Sequence, residues 1–204
     1  MRIAIPKGRL QEPALAMFAA AGLPVPSPAE LATRRLVFNG RGVEWIFVKD
    51  CDVPVYVEHG AADAGIAGLD QLLEHESTAS QPVTMPFGVC RMMLIAAPDE
   101  RPLRSIATKY PRIAHRYLEE RGLRADVVAL GGSVELAAVL ALTTHVIDLV
   151  ETGETVRIHN LVLQDTVAEI APRLIVGRDI CRTAPDRVQE LVARVSEAVE
   201  GVIA

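Results

Sequence analysis

The segment Val146-Ile147-Asp148-Leu149-Val150-Glu151-Thr152-Gly153-Glu154-Thr155 gathers the residue types needed to hold a phosphorylated sugar. Its apolar run reads as a strand that delivers Asp148 near its end, and a Thr-Gly-x-Thr turn follows before a helical stretch. Gly153 lets backbone approach an anion closely. Successive amides and the hydroxyls of Thr152 and Thr155 can donate to phosphate oxygens, helped by the positive end of the helix. Asp148 can accept from vicinal ribose hydroxyls. The same residues also read as an ordinary strand-to-helix turn with a threonine cap and a surface acid, since short Gly/Thr turns are common. Other parts of the chain must decide.

A phosphorylated ligand needs cations. Lys7 and Arg9 follow the first predicted strand, where they read either as phosphate contacts or as a solvated basic turn. Lys109 could reach phosphate or merely end a strand. His59 and His145 would be bases only with a partner that the sequence does not show, and they read as structural. The net charge of −5 argues against general binding to a nucleic-acid backbone, and an aromatic content of 4% leaves little surface for base stacking. A small anion stays compatible with that charge, because a local cationic pocket does not show in the sum.

Cys51, Cys90 and Cys181 lack metal-ligand spacing, and their odd number fits reduced thiols. With no apolar leader and no run of about 18 apolar residues, the expectation is a cytoplasmic protein with no membrane partner.

The elements that must position these groups alternate. Ile3–Ile5 is a buried strand ended by Pro6, and Leu10, Ala14, Met17, Phe18 and Ala21 recur at helical spacing before Gly22. Arg35–Phe38 and Val43–Val48 flank Asn39-Gly40-Arg41-Gly42, a hairpin with a four-residue loop. Asp52 is expected to cap a helix containing Pro54, and Ala64–Gly68 reads as a strand closely approached by other backbone. Leu72 and Leu73 belong to a short helix, and Pro82, Pro86 and Gly88 mark a connection. Strands at Met92–Ala97, Ile106–Thr108, Ala125–Leu130 and His145–Val150 follow, with helices at Arg112–Glu120 and from Val134. Val188, Leu191, Val192, Val195 and Val199 line one face of a last helix. This order predicts an α/β protein of two lobes with a ligand cleft between them. The expected boundaries are 1–88 plus 178–204 for the first lobe and 89–177 for the second.

Several phrases, in order from about residue 2 to 180, resemble the ATP phosphoribosyltransferases. They are Ile5-Pro6-Lys7-Gly8-Arg9-Leu10, Asp52-Val53-Pro54-Val55-Tyr56-Val57-Glu58-His59-Gly60-Ala61-Ala62-Asp63, Ala67-Gly68-Leu69-Asp70, Ile106-Ala107-Thr108-Lys109-Tyr110-Pro111 and Gly132-Ser133-Val134-Glu135-Leu136-Ala137. The absence of a C-terminal extension matches the short form. The resemblance implies type II periplasmic-binding-protein-like lobes and condensation of ATP with phosphoribosyl pyrophosphate, the first step of histidine biosynthesis. It also implies substrate-bound Mg²⁺ and a homodimer that assembles with a histidyl-tRNA-synthetase-like regulatory subunit.

Carried over position by position, the resemblance makes Lys7, Arg9 and Arg34 the catalytic cations, with Arg34 on the departing pyrophosphate. It places Glu135, Asp148, Thr152, Gly153, Glu154 and Thr155 on phosphoribosyl pyrophosphate, and Lys49, Asp70 and Lys109 on the nucleotide. No protein-held metal is implied. Lys49 stands where the family usually has arginine, keeping the charge but losing the bidentate fork. Ala129, Ala138, Ala141, Thr143 and Thr144 depart from lysine, proline, glycine, and a small residue followed by aspartate. Those departures leave a noncatalytic two-lobed ligand-binding subunit as the alternative reading.

Overall fold

Alternation builds the first sheet. β1 (Arg2–Pro6) sends Ile3 and Ile5 to one face and Ala4 to the other, all fully buried. Pro6 ends it, and the amide of Lys7 closes the ladder on Val48 O at 2.8 Å. α1 (Gln11–Ala20) buries Ala14, Leu15, Met17 and Phe18, and Gly22 takes a left-handed φ of +73° after it. A short α2 (Pro28–Leu31) starts with a capping box between Ser27 and Glu30. The computed structural model describes residues 1–33, 35–40, 42–98 and 101–203; Arg34 and Arg41 lie outside them.

β2 (Val37–Gly40) and β3 (Val43–Val48) form the expected hairpin, but the pairing runs on to Gly40 and Val43, so Asn39 and Gly40 are strand rather than loop. A 3₁₀ turn at Asp50–Asp52 precedes α3 (Val53–Glu58). Asp52 caps no amide with its side chain; its carboxylate accepts instead from Cys51 Sγ at 3.6 Å. β4 (Ala64–Ala67) is fully buried, and a β-carbon on Gly65 would lie 2.9 Å from Ala4 O, so the strands pack too closely for any side chain there. α4 (Leu69–Glu74) and β5 (Ser80–Thr84) complete this run.

The second unit begins with β6 (Cys90–Ala96), β7 (Ser105–Thr108), α5 (Pro111–Glu120) and β8 (Asp126–Ala129). It continues through α6 (Glu135–Val139), β9 (His145–Val150), α7 (Glu154–Ile158) and β10 (Val162–Ile170). The chain then returns through β11 (Arg173–Val176), α8 (Arg178–Thr183) and α9 (Pro185–Ile203).

Among the described residues, the first sheet has the order β2-β3-β1-β4-β11-β5 and the second β10-β6-β9-β7-β8. Both are mixed. The units divide as Met1–Gly88 with Ala171–Ala204, and Val89–Ile170. The return falls at Ala171 rather than at 178, because β11 pairs with β4 and β5 and so belongs to the first sheet.

In the first unit, Trp45 packs edge-on against Phe18 at 5.3 Å between ring centres and donates to Pro24 O at 2.8 Å. Leu191, Val195 and Val199 of α9 close the same core, and Arg194 Nε donates to Ala21 O, tying α9 to the end of α1. In the second unit, Asp165 of β10 accepts from Tyr117 Oη and pairs with Arg121, both at 2.8 Å. Burial, then Asp165, pushes the Tyr117 phenol up to about 12, so this tyrosine stays a neutral tether.

Candidate active site

Strand order decides where each unit can hold a ligand. In the second unit β8, β7 and β9 run parallel. From β7 the chain passes through α5 to β8 on one side; from β9 it passes through α7 to β10 at the far edge on the other. Neighbouring strands whose connections diverge leave open space beyond their carboxyl ends. Thr108 pairs with Ile147, so Lys109 and Asp148 stand level, one residue past the last rung. Alternation puts Asp148 on the face of Val146 and Val150, which packs Ala137 and Ala138 of α6 and Val156 of α7. Asp148 Oδ1 accepts from the amide of Leu149 at 2.9 Å.

Beyond β9, Gly153 precedes α7 at φ +74°, ψ 8°, a left-handed conformation that L side chains rarely adopt. Its carbonyl accepts from Arg157 N at 3.0 Å, and Thr152 Oγ1 accepts from Glu154 N at 3.4 Å. Thr152, Glu154 and Thr155 are exposed. Beyond β8, Glu135 opens α6, and Gly132 neighbours Lys109, since a β-carbon there would be 3.9 Å from Cε, ordinary contact distance. The second unit therefore brings Lys109, Glu135, Asp148, Thr152, Gly153, Glu154 and Thr155 to one sheet edge.

The first unit repeats the device. β3, β1 and β4 are parallel; the chain leaves β1 towards β3 and leaves β4 towards β5 at the opposite edge. Lys7 and Arg9 follow β1, and Lys49 follows β3, all exposed; Gly8 turns the chain at φ +93°. A cavity of ≈ 210 Å³ beside them is lined by Lys7, Gln11, Thr33, Arg35 and Phe38. Asp70 shares the edge but is only 6% exposed. Its carboxylate accepts from Gln71 Nε2 at 2.8 Å and lies over Gly68, where a β-carbon would collide with it. That geometry suits a carboxylate that shapes the Gly68 turn. A cavity of ≈ 640 Å³ lies at the other end of these strands, around Met1, Arg2, Glu44 and Asp63, and holds none of the expected residues.

His145 is 2% exposed, with Nε2 3.0 Å from Gln164 Oε1 and Nδ1 3.0 Å from Thr144 Oγ1. Burial lowers its pKa, against the pull of Gln164, so it is a neutral structural group. Burial, then Asp52 and Asp50, raises the Cys51 pKa, which disfavours its thiolate.

The departures from the family pattern have local consequences. Ala138 packs into the core, while Ala141 takes φ +55° without being glycine. Thr143 Oγ1 donates to His145 O at 2.9 Å. Thr144 Oγ1 accepts from the amides of Arg104 and Ser105, both at 3.1 Å, so a hydroxyl supplies the acceptor that a carboxylate could supply. Sequence reasoning passed over Arg173, which stands at the carboxyl end of β4; its signal, a lone arginine after Pro172, has meaning only once β11 is placed beside β4.

Two α/β units with mixed sheets and diverging connections define the fold of the periplasmic binding proteins. The aliphatic sulphonate binding protein SsuA of Escherichia coli superposes with a TM-score of 0.60 at 13% identity, covering 97% of this chain and 72% of that one. A chain of the ATP phosphoribosyl transferase (HisG:HisZ) complex of Thermotoga maritima matches with a TM-score of 0.87 and 31% identity, over 98% of this chain and 99% of that one. The ATP phosphoribosyltransferase of Deinococcus radiodurans is 42% identical over 198 residues, 97% of this chain and 90% of its own length. The family model described as HisG: ATP phosphoribosyltransferase matches residues 49–197.

The chain belongs to the ATP phosphoribosyltransferase family. It is a pentosyltransferase that joins ATP to phosphoribosyl pyrophosphate, with release of pyrophosphate, at the first step of histidine biosynthesis.

Proposed function

We propose that the second unit's sheet edge holds phosphoribosyl pyrophosphate and that the first unit's cations meet the nucleotide and the leaving pyrophosphate. The observation that carries this is the left-handed Gly153 turn at a switch point, with Asp148 and Lys109 level beside it. Asp148 and Glu135 would take ribose hydroxyls, and the amides and hydroxyls from Thr152 to Thr155 the 5′-phosphate. As the bond from the anomeric carbon to pyrophosphate breaks, ring nitrogen 1 of adenine supplies the electron pair for the new C–N bond. That nitrogen is already nucleophilic, so the neutral, buried His145 leaves no gap in the chemistry.

Charge grows on the departing pyrophosphate. Lys7, Arg9 and Lys49 supply fixed cations for it, and Arg34, outside the described residues, is assigned to the same charge. Magnesium carried on substrate phosphates needs few protein ligands, and among the described residues no cluster of three His, Cys, Asp or Glu side chains forms a metal cage. When bound it neutralises phosphate charge.

The T. maritima relative was solved as a HisG:HisZ complex. By that analogy this chain assembles with a HisZ-like subunit; the family resemblance adds that the chain is a dimer and that the second subunit is histidyl-tRNA-synthetase-like and senses histidine. No helix among the described residues is long and apolar enough to cross a membrane, and the three cysteines, none of them in a disulfide, suit a reducing cytoplasm.

The test is pyrophosphate release with ATP, phosphoribosyl pyrophosphate and Mg²⁺. Asp148→Asn should raise KM for phosphoribosyl pyrophosphate about tenfold, roughly the 1.4 kcal/mol of one ribose contact, and leave KM for ATP unchanged. A rise in KM for ATP alone would reverse the assignment of the two edges. Histidine should inhibit only after the second subunit is added.

A further inference from the structure

Arg173 opens β11, and its register partner is Ala67, the last residue of β4. The side chain therefore starts beside Gly68, at the carboxyl edge where Lys7, Arg9 and Lys49 also stand. Its position is fixed from behind. Pro172 O accepts from Met85 N at 2.8 Å, and a β-carbon on Gly88 would come within 3.3 Å of Pro172 Cγ and 2.5 Å of Leu10 Cδ2. Leu10 directly follows Arg9, so the start of β11 is packed beside the basic turn after β1.

The guanidinium is incompletely satisfied. Nη1 donates to Thr84 Oγ1, but Nε is shut off from solvent and has no hydrogen-bond partner. Among the described residues no carboxylate pairs with Arg173. A buried N–H without an acceptor is costly, and an anion arriving at the sheet edge would meet the rest of the half-buried guanidinium, whose paired N–H groups match phosphate oxygens.

We infer that Arg173 is a phosphoryl-contacting residue of the first unit, which completes its hydrogen bonds on a phosphate group of a di- or triphosphate substrate. This rests on the assignment of that edge to nucleotide and pyrophosphate. ATP and phosphoribosyl pyrophosphate both carry the group, and separate titrations tell them apart.

The full chain, Arg173→Met, Arg173→Lys and the exposed control Arg182→Met should be titrated calorimetrically with inorganic pyrophosphate, ATP and phosphoribosyl pyrophosphate in Mg²⁺, alongside ligand-free melting. Arg173→Met should bind pyrophosphate and one substrate at least tenfold more weakly, with a ligand-free Tm no lower than wild type, because methionine removes a buried N–H that has no acceptor. Arg173→Lys should recover part of the loss. Which substrate weakens names the source of the phosphate. Unchanged affinity for all three ligands overturns the inference, as does a lowered Tm with normal affinity in the folded fraction. A wild type that binds pyrophosphate yet forms no product would sink the reading of the reaction but not the anion site; an active wild type with normal Arg173 variants would do the reverse.

Discussion

Replacing Gly153 by alanine isolates backbone conformation from steric contact. A β-carbon there would meet only Val150 Cγ1, at 3.8 Å, which is ordinary contact distance. The whole penalty therefore lies in φ +74°, where an L-residue costs about 1–2 kcal/mol. If the turn must keep that conformation to aim its amides at phosphate, the cost falls on the bound state, and affinity for phosphoribosyl pyrophosphate drops roughly 5- to 30-fold. Asparagine tolerates the left-handed region and should lose less, while valine, β-branched, should lose most. Titration calorimetry with phosphoribosyl pyrophosphate and Mg²⁺ on all three variants reads the series directly, with circular dichroism to show that each folds. Equal, wild-type affinity in alanine, asparagine and valine variants would refute the turn as the phosphate site.

Two further outcomes follow from the same region. Ala141 sits at φ +55°, so Ala141→Gly relieves about 1–2 kcal/mol of strain against about 0.4–1 kcal/mol of extra chain entropy in the unfolded state. The melting temperature should rise by about 1–3 °C, and a fall would show that Ala141 is unstrained. His145 has a folded pKa below its usual 6.5, so as pH falls the unfolded chain takes the proton first. Its contribution is fully present above about 6.5 and is lost below; urea midpoints should drop between pH 7 and 5, and His145→Asn should flatten that drop.

Local chemistry made much of this legible. Pro6 ending β1, Gly22 after α1, and the Gly153 turn each act within a few residues, and each stands where the sequence puts it. Non-local pairing hid the rest. Pro82 reads as a breaker, yet β5 is an edge strand and spares the missing donor. β10 shows no alternation because its pairing with β6 shifts register between Leu163 and Asp165 and again between Thr166 and Ala168. Its polar residues find distant partners, Gln164 on His145 and Asp165 on Tyr117 and Arg121. Missing β11 moved the expected boundary from 171 to 178 and kept Arg173 out of view. The candidate residues can be named one by one from the sequence, but their grouping at two sheet edges depends on strand order, which no local pattern encodes.

Amide hydrogen exchange with one substrate at a time tests the central claim most directly. Phosphoribosyl pyrophosphate with Mg²⁺ should slow exchange across 151–157 and around 109–110, the turn after β9 and the end of β7, with little change at 7–10. Protection confined to 7–10 and 49–52, with the Gly153 turn exchanging as in the free chain, would contradict the account.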